Sequence, residues 1–453
     1  MLQQQQHPEQ RKQQQKQREH KTDFTVAGVK VGAGGVQSQK SGDDLGLRAP
    51  ELGEDRRRLL VAVTNDGVGN AFLDSLRENQ KRLGFVFAGT LAELLEKAGV
   101  RDGKMANEML DNFAFLDILP GYDFPVMNGV LRHGCSVAPP LKPMADVDVE
   151  SDLPMKFSRQ TSLGPNYTLR SNGSMHDQYL KFLNVPATRS ASGIKIAVVD
   201  SGFEKPSIIS GFLDLVDPTN KVEKDNFGHG TAMASIVSDI AQGAKVYSVR
   251  ASDHGPHVSE AMLGIAAGSF HFQADIINLS FGLPLGQSCP TCGSQSSVSK
   301  VFYRLLRSLS EKAMTAGGPP ILVAATGNDG VATGFDAPAL WNFTLAVGSI
   351  NANKDRSSFS NYGTTGQNQY VMMPGGEEKQ GSITEWIGEA KHKCYGTSAS
   401  AAYASGILAL YMSNSKYQNP DRSQFLAGVL NQCPLPCNNQ KTAEHGRGYL
   451  AYR

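Results

Sequence analysis

The chain has 453 residues, of which 40% are hydrophobic and 19% charged, and its formal net charge is +1. This balance is ordinary for a soluble globular protein and leaves room for two or three domains. A nearly neutral chain gives no electrostatic reason to expect nucleic acid or a charged membrane surface as a partner. The sequence has no apolar run of about 18 residues, so it predicts no transmembrane helix.

The N-terminal segment opens with a Gln-rich run and lacks the apolar stretch of a secretory signal peptide. Taken literally, it predicts a cytoplasmic protein, with secretion as the alternative. Residues 1–56 are rich in Gln, Gly, Ser and charge and have no sustained apolar period. We therefore expect them to form a disordered arm.

Residues 57–135 predict a small α/β module. Its predicted elements are strands at Leu59–Val63 and Phe113–Leu119 and helices at Asn70–Leu83 and Leu91–Lys97. Residues 136–172 are rich in Pro, Asp, Ser and Gly, which is typical of a linker or an exposed arm.

Residues 173–453 show alternating strands and helices. Apolar strands separated by helices predict a parallel sheet covered on both faces. In such sheets the active site lies at the carboxyl ends of the strands. The predicted strands are Ile194–Val199, Lys245–Val249, Asp275–Ser280, Ile321–Ala325 and Thr344–Ser349, and the predicted helices are His176–Leu183, His229–Ala241, His257–His271 and Ser297–Ala316.

A further helix is predicted after Ser398, where the sequence is apolar or small all round, as in a fully buried helix. Gly396 allows a sharp bend just before it. A serine at this position lies near unpaired backbone N–H groups and the positive end of the helix dipole, which stabilise nearby negative charge. On its own, such a serine is more often a helix cap than a nucleophile.

Three other polar residues stand where predicted strands end or helices begin. Asp200 follows a buried strand, His229 begins a predicted helix, and Asn328 follows another strand. Glycine flanks each of them, which permits close approach at a crowded site. A base and an orienting carboxylate are what a serine hydroxyl needs to become a nucleophile.

Four short motifs in this order resemble those of the subtilisin-like serine proteases, the subtilase or peptidase S8 family. They are Asp200-Ser201-Gly202, His229-Gly230-Thr231, Gly327-Asn328 and Gly396-Thr397-Ser398, and the similarity covers residues 174 to about 412. The resemblance implies the α/β, three-layer subtilisin-like fold, with a parallel sheet and helices on both faces. It also implies a serine-type endopeptidase that acts on protein or peptide substrates and requires no cofactor.

The same resemblance implies roles for particular residues. Asp200 orients His229, His229 takes the proton of Ser398, and Ser398 attacks the peptide carbonyl. Asn328 and the backbone N–H of Ser398 bind the developing oxyanion. The segment Ser280-Phe281-Gly282 pairs with the substrate as an added strand.

The sequence departs from the family pattern at two places. Ala399-Ser400-Ala401-Ala402 follows the nucleophile where the family usually has Met-Ala-x-Pro, and Phe281 stands where Leu is more frequent. Neither change removes a catalytic group, but both leave the substrate preference open.

Two alternatives to an active endopeptidase remain. The chain could be a catalytically silent protein that holds peptides in the strand-pairing groove, or a regulatory protease silenced by its N-terminal half. The module at 57–135 occupies the place of an inhibitory propeptide in many subtilases, although a permanently attached accessory domain fits equally well. If it is a propeptide, we expect cleavage in the exposed stretch after Pro139.

Cysteine spacing allows a zinc site at Cys289, Cys292, Cys433 and Cys437, but no histidine supports it. Free thiols or one local disulfide per pair are favoured. The family resemblance also allows structural calcium, for which no carboxylate cluster is specific enough to name ligands. We therefore predict no metal-binding residues.

Overall fold

The structure is a computed structural model. It describes residues 22–26, 29–33, 58–63, 67–100, 109–119, 147–157, 175–204, 208–284, 299–311, 318–332, 334–363, 369–377, 384–387, 391–417, 421–432, 434–438 and 442–453. Within these ranges no helix is both long and apolar enough to cross a membrane.

A two-stranded hairpin lies in the arm that the sequence predicts to be disordered. Strand β1, Thr22–Val26, pairs with antiparallel strand β2, Val29–Ala33. Polar or glycine residues interrupt the apolar ones in both strands, so neither is a continuous apolar run of the kind that marks a buried strand. The rest of the arm lies outside the described residues, so the prediction of disorder is not tested there.

The N-terminal module is a four-stranded antiparallel sheet with two helices. The spatial strand order is β4-β5-β3-β6. Its elements are β3 (Arg58–Ala62), α1 (Gly67–Leu83), β4 (Phe85–Thr90), α2 (Leu91–Lys97), β5 (Phe113–Ile118) and β6 (Asp148–Ser151).

Both faces of this sheet are covered. On one face, Leu59 and Val61 pack with Phe72 of α1 in a core of the module's own. On the other face, Leu60 and Phe115 belong to the main hydrophobic core of the molecule. Strand β3 is therefore buried at every residue, which explains why its sequence from Leu59 to Ala62 is continuously apolar rather than alternating.

The module extends beyond residue 135, where the sequence analysis ends it. Strand β6 lies in the predicted linker and pairs with β3 along its whole length. Only Val149 of β6 contributes an apolar side chain to the module's core. Because the strand is otherwise acidic or polar, its composition resembles that of a linker.

The remaining elements form the large C-terminal domain and the segment that leads into it. They are β7 (Lys156–Phe157), α3 (Met175–Phe182), β8 (Lys195–Asp200), β9 (Gly211–Asp214), α4 (His229–Ile240), β10 (Lys245–Arg250), α5 (Val258–Phe270), β11 (Ile276–Leu279), β12 (Phe281–Gly282), α6 (Lys300–Glu311), β13 (Ile321–Ala325), β14 (Leu345–Ile350), β15 (Tyr370–Pro374), β16 (Thr384–Ile387), β17 (Lys391–Cys394), α7 (Thr397–Ser413), a 3₁₀ turn (Ser415–Tyr417), α8 (Arg422–Gln432), β18 (Pro434–Leu435), α9 (Thr442–His445) and β19 (Tyr449–Leu450).

The main sheet has nine strands in the order β18-β19-β15-β14-β13-β11-β8-β10-β9. Neighbouring strands from β9 to β19 are parallel, and β18 pairs with β19 in the antiparallel direction. Helices α4, α5 and α7 pack against the central strands. This arrangement confirms the predicted α/β fold with a parallel sheet between layers of helices.

Helix α7 runs through the centre of the domain, and every residue from Thr397 to Tyr411 is buried. It lies so close to α4 that a Cβ atom added at Gly406 would fall 2.7 Å from Cβ of Ile240. The uniformly small and apolar sequence after Ser398 is thus explained by contact on all sides.

The cysteine hypotheses fall largely outside the described part of the chain. Cys289, Cys292 and Cys433 are among the residues that the structure does not describe. Cys437 is buried, and this burial raises the pKa of its thiol to about 12. Neither the zinc hypothesis nor the disulfide hypothesis is tested by these residues.

Candidate active site

A buried carboxylate and a buried imidazole meet at the carboxyl end of β8. Asp200 is the last residue of this strand, and His229 is the first residue of α4. His229 Nδ1 lies 2.7 Å from Asp200 Oδ1, which also accepts the backbone N–H of Ser201. The carboxylate therefore favours the tautomer with the proton on Nδ1. His229 Nε2 has no hydrogen-bond partner among the described residues, so this nitrogen can accept a proton.

The loop that leads into α4 is held by a single carboxylate, which the sequence analysis did not single out. Asp225 accepts hydrogen bonds from the Ser201 hydroxyl, from the backbone N–H groups of Phe227 and Gly228, and from both the N–H and the hydroxyl of Thr231. These bonds fix the start of the helix and hence the position of the imidazole. The only sequence signal is an acidic residue shortly before the His-Gly-Thr motif.

Ser398 lies in the first turn of α7, just after the bend that the sequence predicts. Gly396 has φ of 142°, a backbone conformation that residues with a side chain rarely adopt. The Ser398 hydroxyl donates to the carbonyl oxygen of Ser280 at 2.9 Å, and the Ser280 hydroxyl donates back to the Ser398 carbonyl at 3.1 Å. The serine is thus joined directly to the predicted substrate-binding segment.

No hydrogen bond joins the Ser398 hydroxyl to His229 Nε2, because the described partner of the hydroxyl is the Ser280 carbonyl. A rotation about the Cα–Cβ bond of Ser398 redirects the hydroxyl. Such a rotation is fast compared with turnover. Hydrogen bonds between nucleophile and base are often absent or long before substrate binds.

Asn328 lies beside the same turn with its amide in a fixed orientation. Its Oδ1 accepts the backbone N–H and the hydroxyl of Thr397, each at 2.9 Å. A backbone N–H can donate only to the oxygen, so these contacts assign the two ends of the amide. The Nδ2 group is then a buried donor without a partner among the described residues. A buried N–H donor without a partner beside Ser398 can donate a hydrogen bond to a negative charge that develops there.

The cleft beside these residues holds a strand from the chain's own N-terminal half. Strand β7 pairs antiparallel with β12, with Phe157 opposite Phe281 and Lys156 opposite Gly282. The Phe157 ring also stacks on the imidazole of His229, with the ring centroids 4.7 Å apart. Two residues of the predicted segment, Phe281 and Gly282, therefore pair with an extended stretch of the same chain.

The other edge of this peptide is also paired. The Met155 backbone N–H donates to the Pro256 carbonyl at 2.8 Å, and Pro154 forms an antiparallel bridge with His257. The peptide is thus the middle strand of a small three-stranded arrangement over the site. The sequence analysis missed this occupant because it placed the segment in a linker.

The described residues contain no group of three or more His, Cys, Asp or Glu side chains that could hold a metal ion. No residue is therefore assigned to a metal or cofactor, and the chemistry below uses only protein groups.

A family model described as the subtilase family, Peptidase_S8, matches residues 191–431. The minor extracellular protease Epr of Bacillus subtilis (strain 168) is 28% identical over 233 residues, which cover 49% of this chain and 32% of that protein. Subtilisin E of the same strain is 26% identical over 252 residues, covering 51% of this chain and 59% of that protein. The chain thus spans about a third to three fifths of the length of these relatives.

A solved structure of the epidermin leader peptide processing serine protease (EpiP) of Staphylococcus aureus is similar in fold. The TM-score is 0.57 at 17% sequence identity, and the superposition covers 87% of this chain and 96% of that chain. The similarity in fold therefore reaches beyond the residues that the family model matches. The family model matches more than half of the chain, which establishes that the chain belongs to the subtilase family of serine peptidases.

Proposed function

We propose that this chain is a serine-type endopeptidase that hydrolyses peptide bonds through an acyl-enzyme on Ser398. The observation that carries the proposal is the imidazole of His229, held by Asp200 through Nδ1 while Nε2 remains available in a cleft that accepts an extended peptide. This is the arrangement that nucleophilic catalysis by a hydroxyl group needs.

In the proposed reaction, His229 Nε2 takes the hydroxyl proton of Ser398 as Oγ attacks the peptide carbonyl. Asp200 stabilises the imidazolium that results. The Nδ2 group of Asn328 and the backbone N–H of Ser398 donate to the oxyanion of the tetrahedral intermediate. The imidazolium then protonates the leaving amine, and the amine departs. A water molecule, deprotonated by the same imidazole, releases the acyl group and regenerates Ser398.

The experiment that tests this function is labelling of the full chain with a fluorophosphonate, combined with mass spectrometry of the intact protein. We expect covalent label on Ser398 and, on incubation, cleavage of the chain shortly beyond Phe157. The chain with Ser398→Ala should show neither. If the folded wild-type protein takes no label and remains intact, while it still binds peptides, the silent peptide-binding alternative replaces the peptidase.

We further propose that the N-terminal module inhibits the site within the same chain. The module delivers the peptide that pairs with β12 and covers His229. A peptide in this position competes with substrate for both the pairing edge and the imidazole. Because Phe157 is the last described residue of this peptide and stacks on His229, we expect cleavage at a bond shortly after it, within the stretch predicted after Pro139.

Two carboxylates hold the module on the large domain. Glu150 accepts hydrogen bonds from the N–H groups of Lys300 and Val301 at the start of α6, at 2.9 and 3.2 Å. Asp152 accepts the N–H and hydroxyl of Ser259 at the start of α5, at 2.9 and 2.6 Å. Each carboxylate thus caps a helix N-terminus, where backbone N–H groups lack partners and the dipole is positive.

Replacing both Glu150 and Asp152 with alanine is expected to raise the initial rate of peptide hydrolysis by the uncut chain by roughly 30-fold. Loss of one helix cap costs about 1 kcal/mol. Loss of both caps therefore raises the fraction of molecules in which the peptide has left the cleft by roughly 30-fold. The measurement is hydrolysis of a fluorogenic peptide within the first minutes, before self-cleavage. Glu78→Ala, at an exposed position on α1, is the matched control and should leave the rate unchanged. Equal rates for the double variant and the control would contradict inhibition by the docked module.

A further inference from the structure

A buried carboxylate that the proposed reaction does not use lies next to the strand that pairs with peptide. Asp336 is buried, with only 6% of its surface exposed. Its backbone N–H donates to the Thr326 carbonyl, just beyond β13, at 3.0 Å. The next residue, Ala337, exchanges two backbone hydrogen bonds with Leu283, just beyond β12, at 2.8 and 3.0 Å. Asp336 is therefore fixed between the two segments that border the active site.

Because residues 282 and 327 are glycines, Asp336 contacts the backbone of both segments directly. A Cβ atom added at Gly282 would lie 2.6 Å from Cβ of Asp336, and one added at Gly327 would lie 2.5 Å from its Oδ2. Gly282 belongs to the strand that pairs with peptide, and Gly327 immediately precedes Asn328. Because neither wall carries a side chain, the carboxylate lies directly between the peptide-binding edge and the proposed oxyanion donor.

The register of a peptide that pairs with β12 determines which of its side chains faces Asp336. Phe157 points at His229, and side chains alternate between the two faces of a strand. In a substrate that pairs with β12 in the same register as β7, we expect the residue opposite Ser280 to point away from the imidazole. That side lies between Gly282 and Gly327, where Asp336 is found. The Ser280 carbonyl accepts the hydroxyl of Ser398, so we expect Ser398 to attack the carbonyl of the substrate residue that lies opposite Ser280.

Asp336 forms no ion pair with any cationic side chain in the described part of the chain. Its carboxylate accepts one long hydrogen bond, from Asn361 Nδ2 at 3.3 Å. Burial, reinforced by the charge of Asp329, raises its pKa to about 7, against the smaller opposing effects of Lys156 and Asn361. Ionising a buried carboxylate that has no cationic partner costs free energy. A cationic side chain placed next to the carboxylate offsets that free-energy cost.

We propose, on the basis of the peptidase function above, that Asp336 determines specificity and selects Lys or Arg immediately before the cleaved bond. Both side chains have a long apolar stem that can lie against the glycine backbone and a charged end that can reach a buried carboxylate. A basic side chain already accompanies the chain's own peptide in this cleft, where Lys156 Nζ lies 3.7 Å from Asp329 Oδ1.

The test compares kcat/KM for fluorogenic peptides that differ only in the residue before the cleaved bond, with Arg, Phe or Glu at that position. We expect the wild-type enzyme to prefer Arg over Phe at pH 8, and Asp336→Asn to lower the Arg-to-Phe ratio at least about tenfold. Hydrolysis of the Phe peptide and fluorophosphonate labelling report that the variant is folded and active. Asp329→Asn is the matched control, since Asp329 is half-exposed and its charge is screened; we expect it to change the ratio much less.

The same ratio has an expected pH dependence. Asp336 is largely protonated below pH 7 and ionised above it, so the Arg-to-Phe ratio should rise through about pH 7 and then level off. Any pH dependence of the catalytic step that both substrates share cancels in the ratio. The charges of Asp329 and Lys156 change the pH at which the Arg-to-Phe ratio rises, but the ratio still rises with pH. In Asp336→Asn the ratio should be flat.

A second measurement uses the full chain. The residue after Phe157 is Ser158, which carries no positive charge, so Ser158→Arg should accelerate self-cleavage when Asp336 is present but not in Asp336→Asn.

A wild-type enzyme that cleaves the Phe peptide as fast as the Arg peptide at pH 8, or an unchanged ratio in Asp336→Asn, overturns the specificity proposal and leaves the peptidase proposal intact. Failure of the peptidase proposal looks different, because no peptide is then cleaved and no label is taken.

Discussion

Replacing His229 with alanine is expected to lower kcat by about six orders of magnitude, a magnitude taken from the corresponding change in subtilisin. The physical reason is that the Ser398 hydroxyl has no other described base within reach of its proton. The Asp200 carboxylate is buried behind the imidazole and bonded to its Nδ1 at 2.7 Å. The measurement is steady-state hydrolysis of a fluorogenic peptide by protein freed of its N-terminal module.

A second buried histidine provides a matched control for this change. His176 is also bonded to a carboxylate, Asp239, at 3.0 Å, and its other nitrogen contacts the Tyr403 hydroxyl. Asp239 lies ten residues along α4 from His229, which places it roughly 15 Å from the active site. His176→Gln should therefore lower thermal stability without changing kcat of the folded fraction. A comparable loss of kcat in both variants would mean that His229 acts only by supporting the fold.

Asn328→Ala is expected to lower kcat by about 10²–10³ with little change in KM, again a magnitude measured in subtilisin. The unpartnered Nδ2 group is held in place by the two bonds that Oδ1 accepts from Thr397. It gains a partner only when the carbonyl oxygen of the substrate becomes an oxyanion, so its contribution belongs to the transition state. The measurement is kcat and KM for one peptide substrate at fixed pH.

Thr397→Val tests the same donor indirectly. This change removes one of the two hydrogen bonds to Oδ1 and leaves the Asn328 amide itself in place. We therefore expect a clearly smaller loss of kcat than in Asn328→Ala. If Asn328→Ala instead raises KM and leaves kcat unchanged, the amide binds ground-state substrate and is not an oxyanion donor.

Much of the large domain could be predicted from local sequence patterns. The buried strand before Asp200 and the buried helix after Ser398 are continuous apolar runs, because parallel sheets and central helices are covered on all sides. Strand β4, Phe85–Thr90, was missed although it belongs to the module's sheet. Its ladder with β5 shifts register between Phe87 and Gly89, and such an irregularity has no reliable sequence pattern.

The active site shows the same division between local and long-range information. Asp200 and His229 could be found because each lies in a short motif at the end of an element. The occupant of the cleft could not, because the pairing of Phe157 with Phe281 depends on a register between segments far apart in the chain. Asp336 was equally hidden, since an acidic residue two positions before a proline resembles a turn, and its burial depends on glycines at two distant positions.

The two-sided burial of the module's sheet has a consequence for the direction of activation. Once the chain is cut and the module departs, Leu60 and Phe115 lose the protein surface that now covers them. A four-stranded sheet covered on one face only has little free energy of unfolding to spare. If the module is released as proposed, we expect it to unfold readily and to be digested by the enzyme. The inhibitor would then be destroyed by its own target, so activation would be irreversible.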